Sequence, residues 1–219
     1  MNAIVLFGDV IRSRRDAPGS TIWLRTLASE LEAAYPADSR LADFEFTQGD
    51  EIQGLLRPDA DPLPAILRAS LHPERRRMRW VVVAGEVDPG IGPATQRTGP
   101  AFLYARERLL AATSRRDRLL MSTGDPSTDG LLDDLAPILA ELLAELTPTQ
   151  RAIGRLILVD GLRRSEAAER LNKARATVSV AAERAHLRSI ERLAGALRIL
   201  FEAGTEAAAS RPPIAEDVP

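Results

Sequence analysis

The chain has 219 residues and a net charge of −2, and 45% of it is hydrophobic but only 4% aromatic, so Ala and Leu build the core and favour helices. The absence of cysteine excludes disulfides and thiolate metal sites, and no apolar run reaches the roughly 18 residues of a membrane span. The N-terminus has neither a cationic leader nor a small-residue cleavage pattern, so no signal peptide and a cytoplasmic location are expected.

Ala3 to Val10 is a short β-branched apolar run, expected as a buried strand ending at Gly8-Asp9. A helix is predicted from about Ser20 to Tyr35 on Ile22, Leu24, Leu27 and Leu31, closed by Pro36. Asp43 to Thr47 alternates around Phe44 and Phe46, turns at Gln48-Gly49-Asp50-Glu51, and resumes as Ile52 to Leu56, a hairpin. Pro62 to Leu71 reads as a short helix and Arg79 to Val87 as a buried strand. A Gly- and Pro-rich loop over 88–98 leads to a helix from Gly99-Pro100, then a strand at Arg118 to Ser122. The order is β-α-β-β-α-β with extra elements, the ferredoxin-like α+β arrangement of an antiparallel sheet with helices on one face. Thr123 to Asp129 is turn-rich and reads as a boundary. Beyond it helices are predicted over Leu131 to Leu146 and Pro148 to Val159, then two short ones and a long run to about Phe201. Gly204 to Pro219 is Ala-, Pro- and acid-rich, without periodicity, and reads as a disordered tail.

The two short helices carry the sharpest signal. LRRSEAAERLNKARATVSVAAERAHLRSIER, Leu162 to Arg192, has the pattern of a helix-turn-helix. Ser165 is a candidate N-cap, Ala168 and Leu171 form an inner face, and Asn172 stands at the turn, where it tolerates a left-handed backbone. Val178, Ala181 and Ala185 are spaced for burial on the second helix. That helix would begin at Ala174, where Ser or Thr more often caps. Its small, hydroxylated and cationic residues suit the major groove. The candidate DNA-binding set is Arg164, Arg175, Thr177, Ser179, Arg184 and Arg188. Between 147 and 200 there are 11 Arg/Lys and 5 Asp/Glu, a local +6 that leaves −8 elsewhere. A basic module on an acidic body suits a phosphate partner; the bland alternative is a helical dimerisation bundle with solvated charges.

In the sheet region, Asp9 ends the first strand and Asp50 lies in the hairpin of the strand expected beside it. Two carboxylates converging on one edge could hold Mg²⁺, with Glu51 as a third acid; turn chemistry alone is the alternative. Arg12, Ser13 and Arg14 follow the first strand and could meet phosphate. Arg75, Arg76, Arg77 and Arg79 read as a solvated basic face. His72 and His186 are far apart, so no His-based metal site is expected.

FGDVIRSR, FTQGDEIQGLL, WVVVAGEV and GPAFLYARERL, in this order over roughly residues 1–122, resemble the SatD family. That family is in turn distantly similar to the class III nucleotidyl cyclases. The resemblance implies metal binding by Asp9 and Asp50 and a phosphate-stabilising role for Arg106; Arg12 and Glu51 are nucleotide-binding candidates from their position beside these residues. It also shows departures: Phe102 stands where a cyclase asparagine orients the ribose, and Phe46 where a lysine reads the purine. The remaining base partner would fall near Gln96. Loss of the ribose contact argues against catalysis, which needs reacting groups closely held.

Together these readings imply a sensor domain at 1–124, a linker helix at 130–146, a helix-turn-helix domain at 147–202 and a tail at 203–219. The expected function is a homodimeric transcription regulator. Its degenerate cyclase-like domain would sense a nucleotide or cyclic (di)nucleotide, with Mg²⁺ as a cofactor, and its partner would be double-stranded DNA rather than a membrane. The alternatives are an active metal-dependent nucleotidyl cyclase with a helical dimerisation module, and a scaffold with no ligand.

Overall fold

The computed structural model of the chain describes residues 1–11, 16–47, 50–113 and 118–211, without the Thr113 side chain. The chain is an α+β protein with a five-stranded sheet and a helical C-terminal region. β1 (Asn2–Val10) is apolar on both faces, which is what a central strand needs. It pairs antiparallel with β3 (Glu51–Leu56) on one side and β4 (Met78–Glu86) on the other. β2 (Arg40–Phe46) pairs outside β3, and β5 (Leu119–Ser122) lies parallel to β4, giving the order β2-β3-β1-β4-β5. The first four strands therefore have the expected β-α-β-β-α-β order, and β5 is an addition at the β4 edge.

The sheet separates two apolar layers. Even-numbered residues of the central strands, Ile4, Leu6, Ile52, Trp80 and Val82, pack with α1 (Ala17–Ala34) and α2 (Leu63–Ser70). Odd-numbered ones, Val5, Phe7, Leu55, Val81 and Val83, pack under α3 (Pro100–Thr113). Gly54 lets the Phe44 ring lie directly on β3, since a Cβ there would overlap it.

The sheet therefore carries helices on both faces rather than one and has a parallel β4–β5 pair, and two expected boundaries also need correction. α4 (Pro126–Glu145) begins five residues before the predicted start, because Asp125 accepts from the Thr128 N–H at 3.0 Å as an N-cap and Pro126 is pre-set for the first turn. Asp129 also accepts from Ser122 Oγ at 2.6 Å and Thr123 N–H at 2.6 Å, so the turn-rich 123–129 stretch is tied to β5. α4 is consequently not a free linker over 130–146: Leu132, Ala136, Leu139 and Leu143 are buried in the core that also holds Trp80 and Leu119. The second correction concerns 203–211. α8 (Leu187–Ala209) continues seven residues past the predicted domain end at 202, and Gly204 sits where a Cβ would meet Thr123 and Thr128 of the α4 start. This glycine reads as a breaker in sequence but serves close helix contact. Residues 212–219 of the predicted tail lie outside the described residues.

Between α4 and α8 come α5 (Pro148–Gly154), opened by a Thr147–Gln150 capping box, a π turn (Arg155–Val159), α6 (Arg164–Arg170) and α7 (Arg175–Arg184). Ile153, Ala167, Val178 and Ile190 belong to the same apolar cluster as the sheet's α1 face. The two regions thus share one core. Among the described residues, no helix is long and apolar enough to cross a membrane.

Candidate functional site

The β1–β3–β4 register puts Asp9 opposite Glu51 on one side and Arg79 on the other. All three lie on the α3 face. Arg79 Nη1 donates to Asp9 Oδ2 at 2.8 Å, and Arg106 Nη1 reaches across from α3 to Glu51 Oε2 at 2.5 Å. The Arg106 guanidinium also stands 4.7 Å over the Phe7 ring. Gln53 donates to the other Glu51 oxygen at 2.5 Å, and the Val10 N–H donates to the Asp50 carbonyl at 2.9 Å, holding the hairpin end against β1. The predicted residues Asp9, Asp50, Glu51 and Arg106 therefore do meet at one edge. Burial raises the Asp9 pKa above the ordinary carboxylate value, and the Asp50 charge raises it further, against the pull of Arg79. Arg12, Ser13 and Arg14 lie outside the described residues, as do Gln48 and Gly49 of the hairpin.

Among the described residues no group of three or more acids or histidines is placed to hold a metal ion. One Asp9 oxygen and both Glu51 oxygens already have partners. These residues do not fit an ion caged by protein alone. They fit Mg²⁺ brought in with a nucleotide, for which one or two carboxylates suffice and phosphate oxygens complete the shell.

The two cyclase departures have structural reasons. Phe102 is buried and its ring lies 5.9 Å from Phe7, so this side chain belongs to the core. Phe46 pairs with Ile52 and packs on the α1 layer, the face opposite Arg106. It also carries the Arg25 guanidinium at 5.9 Å. Gln96 is exposed at the end of a single 3-10 turn, Ala94–Gln96. Sequence reading missed Arg79 and Gln53 as members of this edge; only the strand register reveals them.

The second candidate is the face of α6 and α7. Asn172 has φ 49°, the left-handed turn expected of it, and Lys173 N–H donates to Ala168 O at 2.9 Å to close the α6 end. The N-cap of α6 is Arg163 rather than Ser165, because Glu166 Oε2 accepts from the Arg163 N–H at 2.7 Å. α7 starts after Ala174 without a side-chain cap, as its sequence implies. Ala167, Ala168, Val178, Ala182 and Ala185 are buried; Ala181 is only half-buried, so Ala182 takes the inner position read for it. Arg164, Arg175, Thr177, Arg184 and Arg188 are exposed, while Ser179 is half-buried on the flank of α7. Arg175 approaches Glu169 at 3.3 Å and Arg164 approaches Glu183 at 3.6 Å, both in solvent. Val180, with Ala176, projects from the outer face beside these cations.

No protein-family model and no curated protein matches the chain. Among solved structures, a regulator of polyketide synthase expression from Bifidobacterium adolescentis is similar at 15% identity. The alignment covers 96% of this chain and 82% of that one at a TM-score of 0.30. A likeness at that level carries no argument about function.

Proposed function

We propose that the protein is a DNA-binding transcription regulator whose sheet edge senses a nucleotide or cyclic (di)nucleotide. The observation that carries this reading is the α6–Asn172–α7 unit: a left-handed turn, an apolar inner face and an outer face of exposed Arg, Thr, Ala and Val. A helix presented in this way suits the major groove, with Arg184 and Arg188 toward phosphate or base edges. The edge of Asp9, Asp50, Glu51 and Arg106 would take the ligand; Asp9 and Asp50 would hold Mg²⁺, which would offset the charge of the ligand's phosphates. Burial of Phe102 and the packing of Phe46 on the α1 layer, the face opposite Arg106, support a sensor over a cyclase, since neither can position ribose or base. The working unit would be a homodimer, because two-fold operators need two recognition helices. Exposed Leu103 and Leu110 on α3 offer apolar area for a second copy.

The test is binding of the purified protein to fragments of its own genomic DNA across a salt titration, with and without Mg²⁺ and nucleotides. We expect selective binding in the parent, and a salt slope shallower by about one in each of Arg184→Ala and Arg188→Ala, since each removes the partner of one phosphate. Asp50→Ala should abolish the nucleotide response and leave DNA affinity intact. No selective binding at any salt overturns the regulator; an unchanged nucleotide response in Asp50→Ala overturns the sensing edge.

A further inference from the structure

A cleft of about 1360 Å³ opens at the end of the sheet beside Val10 and Ile11, between the start of β4 and the C-terminal end of α4. Five arginines line it, Arg75, Arg76, Arg77, Arg79 and Arg118, against three acids, Glu74, Glu141 and Glu145. Two of the five are committed: Arg76 to Asp16 at 2.5 Å and Arg79 to Asp9 at 2.8 Å. Arg75 spends its donors on the carbonyls of Leu143 and Ala144, at 3.1 and 3.3 Å. Among the described residues, neither Arg77 nor Arg118 forms an ion pair.

Such crowding is unfavourable without a counter-charge. Burial pulls the Arg75 pKa down to about 10, helped by the like charges of Arg151, Arg77 and Arg118. Burial and Arg77 also lower that of Arg118, against Glu141. A smaller pocket of about 30 Å³ shares Arg75, Arg76, Arg77 and Arg118 with the cleft and is lined also by Met78, Trp80 and Leu143. Trp80 is buried, and its indole N–H has no acceptor among the described residues. A set of guanidinium forks lining one cleft has the chemistry of a phosphate cradle.

We infer that this cleft binds a small phosphate-rich anion of three or more negative charges, and that its occupancy is transmitted to the helix-turn-helix through the α4–α5 junction. The transmission step, though not the binding, rests on the regulator reading. Hydrogen bonds trace its route. Phosphate oxygens that draw the Arg75 guanidinium compete with its bonds to Leu143 and Ala144, in the last turn of α4. Leu146, two residues on, accepts from Arg151 Nη1 at 2.9 Å, and Thr147 caps α5. Releasing Arg75 therefore loosens the segment from which the DNA-reading helices hang. A bare polyphosphate and the phosphate tail of a nucleotide would both satisfy the arginines.

The test uses the full chain, without Mg²⁺ and at fixed ionic strength. Inorganic phosphate, pyrophosphate, triphosphate and ATP are titrated by calorimetry and tryptophan fluorescence. We expect affinity to rise with chain length and Trp80 emission to change. The double variant Arg77→Ala/Arg118→Ala should weaken triphosphate about a hundredfold, roughly tenfold for each charge-assisted bond removed. Arg57→Ala, an exposed arginine outside the cleft, should bind as the parent does. The double variant should melt no lower than the parent, because it relieves like-charge crowding. Tighter binding of ATP than of triphosphate that is lost in the double variant identifies a nucleotide tail in the cleft; equal binding identifies a bare polyphosphate. No triphosphate binding, or equal binding by the double variant, overturns the site. Triphosphate should also shift DNA affinity in the parent and not in the double variant. If it binds without shifting DNA affinity, the α4–α5 route fails while the regulator stands. If it binds and the protein recognises no DNA, the regulator fails while the site stands.

Discussion

His72 shows how a single buried side chain ties α1, α2 and the π turn together. Trp23 Nε1–H and the Glu74 N–H both donate to its Nδ1, at 3.0 and 3.1 Å, so that nitrogen is the acceptor and Nε2 carries the proton toward Glu30, 3.5 Å away. Glu30 in turn accepts from Arg155 at 2.9 Å, linking α1 to the π turn. Burial holds the His72 pKa below its ordinary 6.5, with Arg155 acting the same way and Glu30 opposing. The folded state therefore prefers the neutral ring. The stabilisation is fully present above pH 6.5 and is lost as pH falls from there through the lower folded value. We expect the parent protein to lose thermal stability over that descent more steeply than His72→Gln, which has no ring to protonate. Equal slopes for the two proteins would mean that His72 is not the titrating group. The chain alone shows His72 before Pro73 and gives no hint of this role, because the three partners come from residues 23, 30 and 74.

At the scale of elements, the α6–α7 turn is the place where local chemistry decides most. An L-residue in the left-handed region costs roughly 1–2 kcal/mol, and Asn bears it best after Gly. Asn172→Gly should therefore leave stability within about 1 kcal/mol of the parent. Asn172→Val should cost roughly 1–2 kcal/mol in denaturant unfolding and misplace α7, so that DNA binding falls with it. Retention of full stability in the valine variant would show that the turn is not strained as the backbone implies. This turn was legible from sequence because its cause is a single residue. β1 and β4 were legible for a similar reason, since strands buried on both faces read as continuous apolar runs. The start of α4 was less so: TGDPSTD has turn composition, although Asp125-Pro126 is also a cap followed by the first helical position. Neither the face occupied by Phe46 nor the pairing of Arg79 with Asp9 could be read from spacing. Both depend on strand register, which is a tertiary property.

The whole molecule turns on whether the sheet and the helical region behave as one body. Sequence composition divides them, with a turn-rich boundary and opposite net charges. Packing joins them: one apolar cluster runs from Ile4 and Trp80 through Leu139 and Leu143 to Ile153, Val178 and Phe201. α4 lies against β5 on one side and α8 on the other, and Arg211 closes the far end on Asp125 at 2.9 Å. Opening that interface would expose the large aliphatic side chains of α4, each worth about 1.5–3 kcal/mol when buried. A separation at the predicted boundary would thus be costly, and the two regions should unfold in one cooperative step. Trp23 and Trp80 both lie in the sheet core, so their fluorescence reports that region, whereas far-ultraviolet dichroism is dominated by the helices. Coincident denaturant midpoints for the two signals are expected. Separated midpoints would mean that α4 comes away with the helices, and the cleft beneath its C-terminal end would then lose one wall before the sheet itself melts. Coincidence has a functional consequence as well. A ligand that binds the sheet region then raises the unfolding free energy of the DNA-reading helices by the same amount as that of the sheet, so both signals shift together when it is added.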